Sequence, residues 1–289
     1  MPKPENLVET LALERIEVNL FRGRAPRDQG PRIFGGLVIA QALLAAYGTV
    51  KDSVCHSIHC YFLRPGDPAA PILYEVDRAR DGRSFTSRRV TAIQHGEQIF
   101  NLAGSFQHPE PGLEHQDPMP DEPSPEDLTE ESELRRKLTA DLPPLMREMT
   151  ERPRPIDMRP VDPQHFMSGK PAPPEQDIWM RAAGPIGDDP VFNQAVLAYA
   201  SDMSFLSTSM RPHGLNWQRA GVQTASLDHA LWFHRPSNFN DWHLFVQHSP
   251  SASGARGMNF GKIYNRDGRL VATAAQEGLM RYRPPEQAL

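Results

Sequence analysis

The sequence predicts an α+β protein of two like halves, each a buried helix followed by an antiparallel meander of about four strands. Three observations carry that prediction. Two long runs are apolar nearly all round, and each is trailed by strand-like segments. Between them lies a proline-rich stretch that no continuous sheet or long helix can cross. Finally, a set of words recurs about 170 residues apart, too long a period for a solenoid and right for duplication of a whole domain.

The first half opens on a strand-like segment, Leu13 to Phe21. Phe34 to Tyr47 then reads as a buried helix, stopped by Gly48, a residue type common just past helix ends. Strand signals follow at Val54 to Leu63, Ile72 to Arg78, Phe85 to Gln94 and Gln98 to Phe106, with His95-Gly96 as a hairpin turn. Fifteen of the 29 prolines fall between Pro109 and Pro174, among acidic clusters such as Asp121-Glu122 and Glu126-Asp127. One charged, helix-compatible island, Pro125 to Lys137, sits inside that stretch. The expected organisation is an N-terminal domain (1–108), a linker (109–152) and a C-terminal domain (153–289).

The second half repeats the plan. Ile178 to Ala182 reads as a strand, and Pro190 to Ala200 as a helix with Asp189 at its N-cap and Pro190 at its first position. Strand signals follow at Thr224 to Phe233, Trp242 to Ser249, Ala255 to Tyr264 and Leu270 to Arg283, with a turn at Asp267-Gly268. Tyr61-Phe-Leu-Arg-Pro65 lies over Trp232-Phe-His-Arg-Pro236, Gly96 over Gly268 and Ala103 over Ala275. Two such copies are expected to join sheets or pack as a pseudo-dimer.

Composition removes several function classes. The chain is 39% hydrophobic and 23% charged, enough for a real core, and its net charge of -5 argues against nucleic acid or an anionic membrane as partner. Cys55 and Cys60 make neither a disulfide framework nor a structural zinc site, and no His-Glu-x-x-His spacing suggests a catalytic metal, so no cofactor is expected. The N-terminus lacks the apolar core of a signal peptide, no run of 18 apolar residues exists, and Glu286-Gln-Ala-Leu289 does not match a Ser-Lys-Leu address. The expectation is a soluble, cytoplasmic protein.

A further set of words runs in order along the chain. They are Leu20-Phe-Arg-Gly, Phe34-Gly-Gly, Tyr61-Phe-Leu-Arg-Pro-Gly-Asp67, Asp81-Gly-Arg-Ser-Phe85 and Ala200-Ser-Asp202, then Leu227-Asp-His, Trp232-Phe-His-Arg-Pro236, Ser251-Ala-Ser-Gly-Ala-Arg-Gly257 and Ala275-Gln-Glu-Gly278. In these words the chain resembles the bacterial acyl-CoA thioesterase II family, which has a peroxisomal relative in eukaryotes. The resemblance implies a double hotdog fold and hydrolysis of fatty acyl-CoA to free fatty acid and coenzyme A. It also implies a polar triad in the C-terminal repeat, carried here by Asp202, Ser226 and Gln276. Serine departs from the threonine of the family word Ala-Thr-Ile-Asp-His: it keeps the hydroxyl and loses the β-branch that restricts χ1.

Those residue types suit a water-mediated hydrolysis. A carboxylate accepts the proton of the attacking water, while hydroxyl and amide groups fix the water's position. No Gly-x-Ser-x-Gly elbow surrounds Ser226, which disfavours a Ser-His-Asp hydrolase. His229 follows Asp228, yet adjacent strand residues face opposite sides, so the pair is not expected to act as a dyad. His229 is expected to make a buried hydrogen bond near the site, with a binding role as the sharper reading. The phosphates of coenzyme A call for cations at the mouth. Arg83, Arg88 and Arg256 are the candidates, with Arg89 and Lys262, and a solvated strand face explains each as well. Phe34, Met203, Phe205 and Leu206 are candidates for an acyl channel or for plain core.

The first repeat acts as an internal control: Gly104 lies opposite Gln276, and the first helix has no Asp and only Gln41 as a polar side chain. One working site per chain is expected. A hotdog hydratase would pair its Asp with a His five residues on, where Asp202 is followed by Ser207. The alternative from another class is an acyl-CoA binding protein with a degenerate site. Because hotdog sheets pair edge to edge, a homodimer or homotetramer is expected.

Overall fold

The computed structural model describes residues 6–26, 30–139, 147, 151–166 and 168–284. The first repeat holds α1 (Leu7–Thr10), β1 (Glu14–Glu17), β2 (Leu20–Gly23), α2 (Gly35–Tyr47), β3 (Val54–Phe62), β4 (Ile72–Asp81), β5 (Phe85–Gln94) and β6 (Glu97–Gln107). A 3-10 turn (Pro125–Asp127) and α3 (Glu131–Leu138) follow. The second repeat holds β7 (Ile156–Pro160), β8 (Glu175–Ala182), α4 (Pro190–Ser201), the short α5 (Ser207–Met210), β9 (Val222–Ser226), β10 (Asp228–Phe233), β11 (His243–Ser253), β12 (Arg256–Asn265) and β13 (Leu270–Tyr282).

The strands form one antiparallel sheet in the order β1-β2-β4-β5-β6-β3-β10-β13-β12-β11-β8-β7, with β9 also paired to β13. This order is its own mirror about the β3–β10 seam. There the register runs Tyr61↔Asp228, His59↔Ala230 and Ser57↔Trp232, so each half of the seam repeats the other under a two-fold. The architecture is the double hotdog.

Both long helices lie against the inner face and against each other. Leu37, Ile39, Ala40, Ala42 and Leu43 of α2, and Ala195, Val196, Ala198 and Ala200 of α4, are buried. Phe34 meets Tyr199 edge-on at 5.0 Å between ring centroids. This is the packing that the absence of a polar stripe demanded. Truncating one of the buried leucines to Ala would cost roughly 2–5 kcal/mol.

Four local expectations are corrected. Leu13 to Phe21 is two strands, β1 and β2, joined by a tight turn in which Glu17 Oε1 accepts from the Val18 N–H. Gly48 does not end α2 in the left-handed region; its φ is -59°, and what it supplies is room, since a Cβ there would fall 2.7 Å from the Phe21 ring. The predicted strand 224–233 breaks at Leu227 into β9 and β10, because both pair with β13 one residue out of step. Such a bulge re-aims the side chains on either side of it. β3 carries the same slip between Cys55 and Ser57. Finally, the proline-rich stretch contributes β7, an edge strand with Pro160 at its end, where a missing N–H is harmless.

The stretch between the repeats also does more than tether them. It lies along the outer face of the second repeat, where Met119 and Leu128 pack on buried Trp179, Trp242 and Leu244. Trp179 Nε1 donates to the Pro123 carbonyl at 2.9 Å, Arg266 pairs with Glu126, and Lys262 pairs with Asp117.

Candidate active site

α4 ends at Ser201, and Asp202 sits at its C-cap with its side chain turned inward and buried. The Leu227 bulge and the β9–β13 pairing bring Ser226 and Gln276 to that carboxylate. Gln276 Nε2 donates to Asp202 Oδ1 at 2.6 Å and lies 3.2 Å from Ser226 Oγ. Ser226 Oγ donates to the same Asp202 oxygen at a long 3.5 Å. Three residues spread over 75 positions of sequence thus share one hydrogen-bonded cluster.

The fourth wall comes from the other repeat. The amino end of α2 abuts Asp202, and the Gly36 N–H donates to its carboxylate. Gly35 makes this approach possible, because a Cβ on it would fall 2.7 Å from Asp202 Oδ2. First-turn N–H groups lack partners within their helix, and the helix dipole favours negative charge there. Burial raises the Asp202 carboxyl above the usual range, while Gln276, the Gly36 N–H and Ser226 pull it back.

His229 stands directly behind the cluster. Its Nδ1 is 3.3 Å from Gln276 Nε2 and its Nε2 is 3.0 Å from Ser201 Oγ. Burial pushes its pKa down to about 3, so the ring is neutral. Asp228 faces the other way, where its Oδ1 accepts from the Glu277 N–H at 2.8 Å, and the two form no dyad.

Asp202 and Ser226 line a cavity of about 1170 Å³ that opens at the surface. Phe34, Met203 and Leu206 line it too; Phe205 does not, and packs instead on Phe245 and His229. Ser204 in the wall has φ of 60°, a strained value for serine, held where its carbonyl accepts from Gln176 Nε2 at 2.8 Å.

The expected cations lie elsewhere. Arg88 is only 2% exposed; its guanidinium donates to Thr49 and pairs with Asp81, which makes it a structural tie across the first repeat. Arg83 is exposed near the β4–β5 turn, and Arg89 is exposed along β5. Arg256 pairs with Glu277 and Lys262 with Asp117. None of the five lines the cavity. The cations that do are Arg32, Arg64, Arg135, Arg152, Arg154, Lys170 and Arg211; Arg135 is held on Glu131 and Arg211 on Asp162, which leaves Arg32, Arg64, Arg152, Arg154 and Lys170 as the candidates. They come from loops and from the proline-rich stretch, where the sequence shows no periodicity to flag them. Ser201 was also missed; as a small residue in an apolar helix it gives no signal. The Phe34-Gly-Gly word did mark the α2 end, and close approach to Asp202 is its physical reason. Among the described residues, no group of three His, Cys, Asp or Glu side chains is arranged to hold a metal ion.

The two-fold places a counterpart at the other helix end, and it is different. There Tyr47, at the end of α2, bonds Gln194 of α4 and accepts from the Cys55 N–H at 2.7 Å. Ile58 stands beside Gly104 where His229 stands beside Gln276.

Fold and cluster together define a double-hotdog protein with an enclosed carboxylate–hydroxyl–amide site in its second repeat. A family model described as acyl-CoA thioesterase matches residues 146–279, and one described as acyl-CoA thioesterase N-terminal domain matches residues 24–107. Acyl-CoA thioesterase 2 of Haemophilus influenzae is 41% identical over 279 residues, covering 96% of this chain and 97% of its own length. Acyl-coenzyme A thioesterase 8 of Homo sapiens is 40% identical, covering 95% of this chain and 88% of its own. Among solved structures, acyl-CoA thioesterase II TesB2 from Mycobacterium marinum superposes with a TM-score of 0.78 at 40% identity, covering 96% of this chain and 99% of that one. The chain belongs to the acyl-CoA thioesterase family, hydrolases that act on thioesters.

Proposed function

We propose that the chain hydrolyses fatty acyl-CoA to free fatty acid and coenzyme A through a water held and deprotonated by Asp202, Ser226 and Gln276. The observation that carries this reading is the convergence of Ser226 and Gln276 on one oxygen of the buried Asp202 carboxylate at the wall of a large cavity. In the proposed step the water oxygen bonds to the thioester carbon as its proton passes to Asp202. Ser226 and Gln276 fix the water's position. The carbonyl oxygen takes up negative charge at the amino end of α2, where the helix dipole favours it. The carbon–sulfur bond then breaks, and coenzyme A leaves as a thiolate that takes up a proton. No acyl-enzyme forms.

The cations Arg32, Arg64, Arg152, Arg154 and Lys170 are assigned to the phosphates of coenzyme A, with Phe34, Met203 and Leu206 along the acyl chain. The two cysteines are free and buried, which supports residence in a reducing compartment such as the cytoplasm. No described helix is long and apolar enough to cross a membrane. Among the described residues no further strand pairs with β1 or β7 at the two ends of the sheet, which supports a homodimer or homotetramer; light scattering on the purified chain tests it. The catalytic reading is tested by thiol release from palmitoyl-CoA by wild type and Asp202→Ala. Wild-type turnover and its loss in the variant are expected. Binding without release by the wild type would favour an acyl-CoA binding protein, and an acyl group trapped on Ser226 would refute the direct attack of water.

A further inference from the structure

The Gln276 amide must present its NH₂ edge to Asp202; the ionised carboxylate disfavours the flipped orientation, but once Asp202 takes up a proton it can donate to the amide oxygen, and the Ser226 hydroxyl accommodates either edge. A longer chain of hydrogen bonds fixes the edge. Ser201 Oγ donates to the Ala198 carbonyl at 2.9 Å, as a serine in the last turn of a helix commonly does. Its proton being committed, Ser201 Oγ accepts from His229, 3.0 Å away at Nε2. The network therefore assigns the proton to Nε2 and leaves Nδ1 bare. That lone pair faces Gln276 Nε2 at 3.3 Å. A flipped amide would set its carbonyl oxygen against the Nδ1 lone pair and the Asp202 carboxylate together, with no donor between them.

We propose that His229 is a positioning residue: its bare Nδ1, fixed by Ser201, holds the Gln276 amide with its NH₂ edge on Asp202. The inference rests on the catalytic reading of Asp202, Ser226 and Gln276. The first repeat supplies independent support. It has no amide to hold, since Gly104 fills that place, and the histidine's place is taken by Ile58. Both members of the pair are absent together where the site is absent. Every outward group of the ring is also accounted for: one edge meets Gln276, the other Ser201, and Phe205 packs edge-on at 6.0 Å between centroids. The imidazole has no opening through which to touch substrate, and it is 1% exposed.

The experiment is a set of variants assayed for kcat and KM with palmitoyl-CoA. His229→Leu keeps the bulk and removes the acceptor, and it is expected to lower kcat by about 10- to 50-fold with KM unchanged. His229→Asn, which can offer an amide oxygen near the place of Nδ1, is expected to retain activity within about 5-fold. Ser201→Ala is expected to lower kcat by roughly 5-fold. On a Gln276→Ala background, His229→Leu and Ser201→Ala should each have no further effect, because the group they position is gone. Equal losses in the Asn and Leu variants, or an undiminished effect on the Gln276→Ala background, would overturn the proposal. If His229→Leu fails to fold, Ser201→Ala on the two backgrounds decides the matter. Should Gln276→Ala itself keep full activity, the catalytic reading fails; should Gln276→Ala be impaired and His229→Leu not, only the positioning role fails.

Discussion

The two helix ends of this molecule are related by the two-fold that relates the repeats, and they have gone different ways. At the end of α4, the buried Asp202 carboxylate collects donors from Gln276, Ser226 and the Gly36 N–H, and faces a cavity of about 1170 Å³. At the end of α2, Tyr47 spends its hydroxyl on Gln194 and the Cys55 N–H, over a smaller cavity of about 610 Å³ lined partly by Asp52 and Asp189. The backbone is nearly the same in both places, down to the bulge before the central strand. What differs is a handful of side chains. A duplicated fold therefore offers two places for a site, and the proposed one uses the end whose side chains suit it, with the other copy as wall. The first repeat is not idle: its α2 amino end completes the site of the second.

The comparison can be broken most directly by exchanging losses between the two ends. Asp202→Ala should reduce kcat by about 10²- to 10⁴-fold, while Tyr47→Phe should leave kcat unchanged and lower stability by about 1 kcal/mol. A comparable fall in turnover for Tyr47→Phe would mean that the second end also works. Next in size is Gly35→Ala, whose Cβ would be driven into Asp202 Oδ2; a loss in kcat of roughly tenfold or more is expected with the fold retained. Gly48→Ala, at the other end of the same helix, would meet the Phe21 ring and the Ala45 carbonyl, both far from Asp202, so its cost should appear in the melting temperature and not in turnover.

The pH dependence sharpens the contrast further. Turnover should fail as pH drops through the Asp202 carboxyl, at a value above that of an ordinary aspartate, because burial raises it. Stability follows His229 differently. Its folded pKa of about 3 lies below that of the unfolded chain, so the unfolded state binds the proton first. The neutral ring costs nothing above pH 6.5, and stability is lost as pH falls from there toward 3, by at most about 5 kcal/mol. Urea midpoints measured across that window should fall more for wild type than for His229→Leu. The smallest effect is expected at the family departure. Ser226→Thr should stay within a few-fold of wild type, since the hydroxyl remains and its χ1 is restricted, whereas Ser226→Ala should lose about tenfold. A large gain in Ser226→Thr would show that serine is the weak point of the cluster.

Much of this architecture could be read before the fold was seen, because its signals are local. All-round apolarity marks α2 and α4 as buried helices, alternation marks the meander strands, and the recurring words mark the duplication. Asp202, Ser226 and Gln276 were legible through the resemblance to the acyl-CoA thioesterase II family, not as a cluster; nothing in their spacing brings them together. Tertiary structure decided the rest. The register slip at Leu227 aims Ser226 at Asp202, the two-fold brings Gly35 and Gly36 from the other repeat, and the path of the proline-rich stretch sets Arg152 and Arg154 at the cavity. Packing within the first repeat leaves Arg88, a plausible phosphate ligand by type, buried with its guanidinium on Thr49 and Asp81. The physical reason is one of range. Helix and strand are fixed by residues within a few positions of one another, whereas the approach of residues 36, 202, 226 and 276 depends on the β9–β13 pairing and on how the two halves of the sheet meet at β3 and β10, which no local pattern encodes.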